Sequence, residues 1–362
     1  MTESAGMAGL TAPMVTRERR RDRALIRTWL GVVIVMIIAM MVVGGATRLT
    51  GSGLSITEWK PIHGVIPPIG IEEWQQEFAK YQQIPQYQQL NKGMSLDEFK
   101  AIFWWEWGHR LLGRLIGVVF FVPFVVLWAT GRIERKLVPR LIGLFLLGGL
   151  QGAVGWWMVT SGLVNRVDVS QYRLATHLVI ACLILAAAVW IRRGLAPADG
   201  DEPVQNAPLK GMAGFLVAVV IIQIFLGGLV AGLDAGFTYN TWPLIDGAII
   251  PSRVYDYAPM WRSVFEDVMT VQFDHRLVAY LLVVGALVHA LQCWRRARGS
   301  RAARRARHLA ILVIAQAGIG IATLLMVVPI DLALAHQFGA ALVLVAAVSH
   351  RRALSPPIPI ES

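Results

Sequence analysis

Residues 44–68 read GGATRLTGSGLSITEWKPIHGVIPP, and residues 227–251 read GGLVAGLDAGFTYNTWPLIDGAIIP. A single gapless offset of 183 residues relates the two segments. Self-similarity at a fixed offset indicates an internal duplication rather than a chance likeness between two glycine-rich loops. Further along the chain, Gln151 and Gly155 match Gln316 and Gly320. The coincident pairs within the two segments are Gly44/Gly227, Gly45/Gly228, Gly53/Gly236, Trp59/Trp242, Gly64/Gly247 and Pro68/Pro251.

The composition indicates a protein whose solvent is lipid. Of 362 residues, 56% are hydrophobic and only 16% are charged, whereas soluble proteins carry about a quarter charged residues. The sequence predicts an all-α integral membrane protein with eight transmembrane helices, because each apolar stretch approaches the roughly 20 residues that span a bilayer. The predicted spans are 28–47, 108–129, 138–158, 172–191, 211–232, 274–294, 308–328 and 330–349.

The duplication divides these spans into two four-helix bundles. Each copy has an even number of spans, so the bundles are parallel repeats related by an axis along the membrane normal. A long outer loop, 49–105, belongs to the first bundle. The predicted segments are a cytoplasmic basic tail 1–27, an N-terminal bundle 28–191, a cytoplasmic linker 192–210, a C-terminal bundle 211–350 and a cytoplasmic tail 351–362.

The net charge of +11 is distributed as expected for membrane topology. With both termini in the cytoplasm, 22 of the 34 Lys and Arg residues lie on the cytoplasmic side, as the positive-inside rule requires. This distribution argues against a nucleic-acid partner. No cleavable signal is evident, and Glu18 and Asp22 among the N-terminal arginines argue against a mitochondrial presequence, so a bacterial inner membrane is predicted. Cys182 and Cys293 fall inside spans, and no disulfide is expected.

Four of the eight histidines occupy equivalent places in the repeat. His109 and His275 each begin a His-Arg-Leu triplet, while His177 and His336 lie near the starts of the fourth and eighth spans. A hydrogen bond between helices would explain one such residue. Two repeated pairs instead favour metal or cofactor ligation, and two imidazoles on facing helices suit haem iron. No carboxylate or thiolate cluster in the sequence completes a zinc site beside them.

Two further features leave alternatives open. Arg110 and Arg276 follow the first pair of histidines and are candidate contacts for haem propionates, with snorkelling to the interface as the alternative. His289 and His350 stand fourteen residues after His275 and His336, a spacing that would also allow two stacked haems. The first half has Pro123 and Ile191 at those places, so an interfacial position for both histidines is the preferred interpretation.

The two halves differ at one position beside a predicted ligand. Glu106 precedes His109 by three residues, while Gln272 precedes His275 by three. A carboxylate walled by Trp104, Trp105 and Trp107 is a candidate for proton chemistry or for stabilising developing positive charge. The alternative is an ion pair with Arg110 or Arg114. Capping-box spacing at 95–98 and at 263–266 predicts that both ligand-bearing helices begin outside the membrane.

These motifs resemble the haem A synthase family, and the resemblance covers residues 28 to 350. It implies an enzyme that oxidises a ring methyl of haem O to the formyl group of haem A, for use in cytochrome c oxidase, with water as the oxygen source. The residues that carry it are the loop 45–55, Glu106-x-x-His109-Arg110, Ala175-Thr176-His177, Asp274-His275-Arg276 and Ala335-His336-Gln337.

The resemblance also implies the role of each residue. His275 and His336 would hold a resident haem b that relays electrons, His109 and His177 would flank the substrate haem, and Glu106 would be the catalytic carboxylate. Some family members carry a cysteine pair in the first outer loop. This chain has none there, which is typical of the cysteine-free branch found in proteobacteria and mitochondria.

The implied partners are haem O, the lipid bilayer, an unknown electron acceptor and the haem O synthase if substrate is handed over directly. The oligomeric state stays open, with a homo-oligomer as one alternative. The competing functions are a di-haem b-type cytochrome that carries electrons and a haem transporter or chaperone. Neither of these predicts a glutamate and a glutamine at equivalent positions.

Overall fold

The computed structural model describes residues 4–196 and 207–360, with side chains from 17 to 196 and from 208 to 360. Eight helices in this part of the chain are long and apolar enough to cross a membrane, which confirms the predicted number and order. The helices are α1 (Ser4–Leu49), α2 (Ile71–Tyr81), α3 (Pro85–Gln89), α4 (Leu96–Ala129), α5 (Val138–Thr160), α6 (Gln171–Gly194), α7 (Ala207–Gly232), α8 (Trp261–Glu266), α9 (Val268–Arg296), α10 (Arg301–Leu325) and α11 (Ile330–Ala353).

The long helices pack as two sets of four, α1 with α4–α6 and α7 with α9–α11. Contacts between the sets run from α1 to α11, from α6 to α7, and from α6 to α11. In the repeat α1 corresponds to α7 and α6 to α11, so the first two contacts are the same contact made twice. A two-fold relation between the halves produces this pattern, with α6 and α11 closest to the axis.

We call the end of the bundles that carries residues 50–95 and 233–267 the outer end, and the opposite end the inner end. At the outer end the loop 49–105 folds rather than extending. Helices α2 and α3 pack on the start of α4, and Trp74, Tyr81 and Phe99 are buried in an apolar cluster separate from the main core. Ser95 caps α4 in a capping box with Glu98, as predicted.

The corresponding prediction for the second half is wrong. Ser263 lies buried inside the short helix α8, and the chain bends at Asp267 before α9 begins. The Asp267 side chain accepts a hydrogen bond from the backbone nitrogen of Thr270 and is the actual N-cap. Ser263 and Glu266 have the spacing of a capping box but do not form one. Glu266 instead pairs with Arg262 and accepts a hydrogen bond from the Tyr172 hydroxyl.

At the inner end the terminal segments are bound to the bundles. Helix α1 runs without a break from Ser4, so residues 4–27 extend the first span as a helix. Arg23 is buried, pairs with Glu134 and donates to the carbonyl oxygens of Ile358 and Pro359. The C-terminal segment is therefore packed against the first helix. Residues 197–206 of the predicted linker lie outside the described residues.

Candidate functional site

Each of the four repeat-related histidines lies against a glycine of a neighbouring helix. A Cβ atom added to Gly44 would stand 3.0 Å from a ring atom of His109, and one added to Gly227 would stand 3.2 Å from a ring atom of His275. One added to Gly155 would lie 2.9 Å from the ring of His177 on α6, and one added to Gly320 would lie 2.6 Å from the ring of His336 on α11. The repeated glycines therefore provide the space that the imidazoles fill, and even an alanine would displace them.

The second pair meets across α9 and α11. The ring centroids of His275 and His336 are 6.5 Å apart, with the planes inclined at 74°. Two imidazoles on opposite sides of an iron have ring centres about 6 Å apart, at roughly 2 Å per metal–nitrogen bond. The donor set and its separation therefore fit a haem. In the first half, His109 lies on α4 and His177 on α6, the helices that correspond to α9 and α11 in the repeat, so the repeat predicts the same pairing there.

Glutamine side chains hold three of the four histidines in place. The Nε2 atom of Gln223 donates to the His275 carbonyl oxygen at 3.0 Å and lies 3.1 Å from its Nδ1. The Nε2 atom of Gln316 donates to the His336 carbonyl oxygen at 2.7 Å and lies 3.0 Å from its Nδ1. Gln151 makes the same type of contact with the third imidazole. Such neighbours orient a ligand and strengthen its binding.

The fourth histidine differs from the other three. The repeat offset that relates α1 to α7 places Met40 where the second half has Gln223. Its methyl group packs toward Gly113, one turn after His109. Sequence reasoning matched the other two glutamines in the repeat but missed this exchange of an amide for a thioether. The signal was readable, because the offset of 183 residues applies directly to position 40.

Glu106 is buried, and four hydrogen bonds converge on its carboxylate. Ser55 Oγ donates at 2.8 Å and the Ile56 backbone nitrogen at 2.7 Å to Oε2. Arg110 donates to Oε1 from Nη2 at 2.6 Å and from Nε at 3.1 Å. The ion pair expected as the alternative is therefore present, and Arg114 instead bonds to loop carbonyl oxygens. The outer loop and Arg110 thus fix the position of this carboxylate from both of its oxygens.

Gln272 occupies the place of Glu106 in the second half, but there the loop offers hydrogen-bond acceptors instead of donors. Its Nε2 donates to the carbonyl oxygens of Ala235 at 2.9 Å and Thr238 at 2.7 Å, while Oε1 accepts from Arg276 at 2.5 Å. Thr238 is the repeat counterpart of Ser55. The first loop thus presents donors to a carboxylate, and the second presents acceptors to an amide.

The two arginines connect these groups to the outer loops. Arg110 also donates to the carbonyl oxygens of Ile56 and Glu58, and Arg276 donates to those of Tyr239 and Thr241. A propionate would have to share or replace some of these bonds, so the propionate contacts stay a prediction.

The predicted wall of tryptophans around Glu106 is wrong in part. Trp104 and Trp105 are each 44% exposed, and at two and one positions before Glu106 they lie about 200° and 100° around the helix from it.

His289 and His350 are not interfacial, and that interpretation is wrong. Both are buried between α9 and α11, with their Nε2 atoms 2.8 Å apart and ring centroids 5.0 Å apart. This is too close for opposite ligands of a haem, whose nitrogens stand about 4 Å apart. Cys293 lies beside them, its Sγ 3.6 Å from the His289 Nε2. Cys182 and Cys293 are both free thiols, as expected.

The two halves are joined close to the candidate ligands. Gln337, next to His336, donates from Nε2 to the carbonyl oxygen of Met41 in α1 at 2.6 Å. Its amide lies against Gly45, which neighbours the glycine packed on His109. Nearer the outer surface, Arg48 pairs with Asp234. The two histidine sites are thus linked through packed side chains at the interface of the halves.

Comparisons with known proteins identify the family of the chain. A family model described as cytochrome oxidase assembly protein, COX15-CtaA, matches residues 27–348. The chain is 60% identical over 342 residues to a protein named heme A synthase from Chelativorans sp. (strain BNC1), covering 94% of each. It is 57% identical to one of that name from Mesorhizobium japonicum, covering 97% of this chain and 96% of the relative. Identity to one from Brucella suis is 58%, covering 93% and 94%.

Proposed function

The chain belongs to the COX15-CtaA family of cytochrome oxidase assembly proteins, and on this basis we propose that it converts haem O to haem A. The reaction oxidises a ring methyl to a formyl group. With water as the oxygen source, one methyl and one water give one formyl group, four protons and four electrons. The electrons pass to an electron acceptor.

The observation that carries the proposal is the pairing of two equivalent histidine sites with unequal neighbours. One site has a buried carboxylate, Glu106, one helical turn before its first histidine, and the other has the neutral Gln272 there. A carrier of electrons or of haem needs no such difference. An oxidase that develops positive charge at a substrate methyl needs it in one half only.

We assign the resident haem b to His275 and His336 and the substrate haem to His109 and His177. Glutamine amides orient both histidines of the second half. In the first half His109 has a methionine where its counterpart has a glutamine, which suits a ligand that must exchange. When bound, haem b would supply one-electron redox chemistry to the second half.

The residues of the first half can carry out the remaining tasks. His109 and His177 would hold the substrate, with Gly44 and Gly155 leaving room beside them. The Glu106 carboxylate would offset positive charge at the methyl and accept a proton as water attacks. Arg110 keeps that carboxylate oriented and ties it to the outer loop.

Haem extraction and chromatography of the purified protein test the function. We expect haem B together with haem O, haem A or a partly oxidised form. His109→Ala should keep the low-spin spectrum of haem b, because the second site is intact, whereas His275→Ala or His336→Ala should abolish it. Full retention of haem B after both second-half substitutions would reverse the assignment. If the purified protein yields haem B alone although the membranes it came from contain haem O, an electron-carrying cytochrome would be favoured.

Several finer assignments belong to the same proposal. We propose a bacterial inner membrane location with both termini in the cytoplasm, supported by the basic inner-end segments. The domain boundaries follow the repeat, with the halves at 28–191 and 211–350. Both cysteines lie in helices, which supports membership of the branch whose outer loop lacks a cysteine pair. Direct transfer from a haem O synthase and homo-oligomerisation remain proposals of the same kind.

A further inference from the structure

A second cluster of metal-ligand side chains lies near the inner end of the second half. His289 and Cys293 are one turn apart on α9, and His350 faces them from α11. All three are 0–1% exposed, and their donor atoms lie within 4.8 Å of one another. Cys293 forms one buried cluster with Leu209 of α7 and Ala306 of α10, so residues of four helices surround these side chains.

The repeat provides an internal comparison for this cluster. The residues at the corresponding places in the first half are Pro123, Leu127 and Ile191. Leu127 and Ile191 are buried there, so the bundle packs at this level with apolar side chains alone. The second half replaces all three with groups that ligate metals. Helix packing therefore does not explain the donors.

A hydrogen bond between the two imidazoles is an incomplete explanation. It pairs one nitrogen of each ring, but the Nδ1 atoms of His289 and His350 have no hydrogen-bond partner among the described residues. The thiol adds a third polar group that such a bond does not need. The Nε2 atoms are 2.8 Å apart, and a separation of about 3.5 Å, which a small change of either ring would give, is that of two ligands at roughly 2 Å from one three-coordinate ion.

We propose that His289, Cys293 and His350 bind a single Cu(I) ion. A thiolate and two imidazoles form a three-donor set whose soft sulfur selects Cu(I). On binding, Cys293 loses its thiol proton to solvent and both imidazoles stay neutral. Thiolate and Cu(I) then cancel in charge, whereas Zn(II) would leave one positive charge in an apolar interior, where net charge is costly. The inference is independent of the haem assignments.

The test uses the purified full-length protein, kept reduced and supplied with Cu(I) in competition with the chelator bicinchoninate. Copper and iron are then counted per chain after desalting, with a parallel Zn(II) arm. We expect about one copper per chain in the wild type and in Cys182→Ser, whose cysteine is also free and buried. Cys293→Ser and His350→Ile, the latter copying the first half, should retain less than a tenth as much copper. Iron per chain should be unchanged in all four proteins.

Copper retained by Cys293→Ser or His350→Ile, or Zn(II) retained in place of copper, would overturn the proposal. X-ray absorption at the copper edge of the wild type provides a test that needs no variant. One sulfur and two nitrogen neighbours are expected, and a spectrum without sulfur would refute the site even if the variants failed to fold.

Discussion

Glu106→Gln separates a catalytic carboxylate from a structural one. The wild-type carboxylate accepts from Ser55, from the Ile56 backbone nitrogen and twice from Arg110. A glutamine has one acceptor oxygen. If that oxygen faces Arg110, the amide NH₂ can donate to the Ser55 hydroxyl, but the Ile56 N–H loses its partner. One unpaired buried donor costs about 1–3 kcal/mol of the free energy of unfolding.

The Gln272 site shows why this cost arises. There the loop offers two carbonyl oxygens to the amide, whereas the first loop offers a hydroxyl and an N–H. The sequence alone suggests that Glu106→Gln reproduces the Gln272 site, but the loop around position 106 does not offer an amide the same hydrogen-bond partners. The variant should still fold, because a loss of this size is a fraction of the roughly 5–15 kcal/mol that stabilises a typical domain.

The assay measures haem A formed per haem B bound, together with the melting temperature. We expect haem A production to fall by about 10²-fold or more while haem O or a partly oxidised form accumulates. Ser55→Ala is the matched control, because it removes one donor and leaves the charge, and its rate should stay within about tenfold of the wild type. Normal haem A production by Glu106→Gln would remove the carboxylate from the mechanism. A parallel loss of haem B and rate in both variants would make Glu106 an anchor for the loop.

Three other results are expected. Gln223→Met should weaken haem b retention by about 10- to 100-fold, and Met40→Gln should slow the release of haem from the first site. Both effects are measured by haem transfer to apomyoglobin. Unchanged retention would refute the orienting role of the glutamines. Gly320→Ala should lower haem b occupancy by about tenfold because its Cβ meets a ligand ring at 2.6 Å, while Gly318→Ala, with nothing within 4 Å, should not. Hydrogen bonds from two lysines hold the pKa of Glu58 below its ordinary value of 4.5. The stabilisation of the outer loop by Glu58 should therefore be complete above that pH and lost as the pH falls through the lower folded pKa. We expect faster hydrogen exchange in α2 at low pH, and unchanged exchange would show that the ion pairs are dispensable.

Sequence alone determined the eight spans, the duplication and the four candidate ligands. Hydropathy is a local property, so a span is readable from some 20 consecutive residues. The repeat is equally visible in one dimension, and it identified His109, His177, His275 and His336 without any knowledge of contacts. The difference between Glu106 and its counterpart followed from the same alignment of the chain with itself.

The tertiary structure decided which side chains meet. Gln223 reaches His275 across 52 residues of chain, and the loop group that binds Glu106 comes from 50 residues away. His350 lies on the surface by sequence, next to arginines, yet it is buried against a helix 61 residues earlier. Helical periodicity fixes the faces of one helix only. Which faces meet depends on the register and crossing of packed neighbours, and these are set by the whole bundle at once.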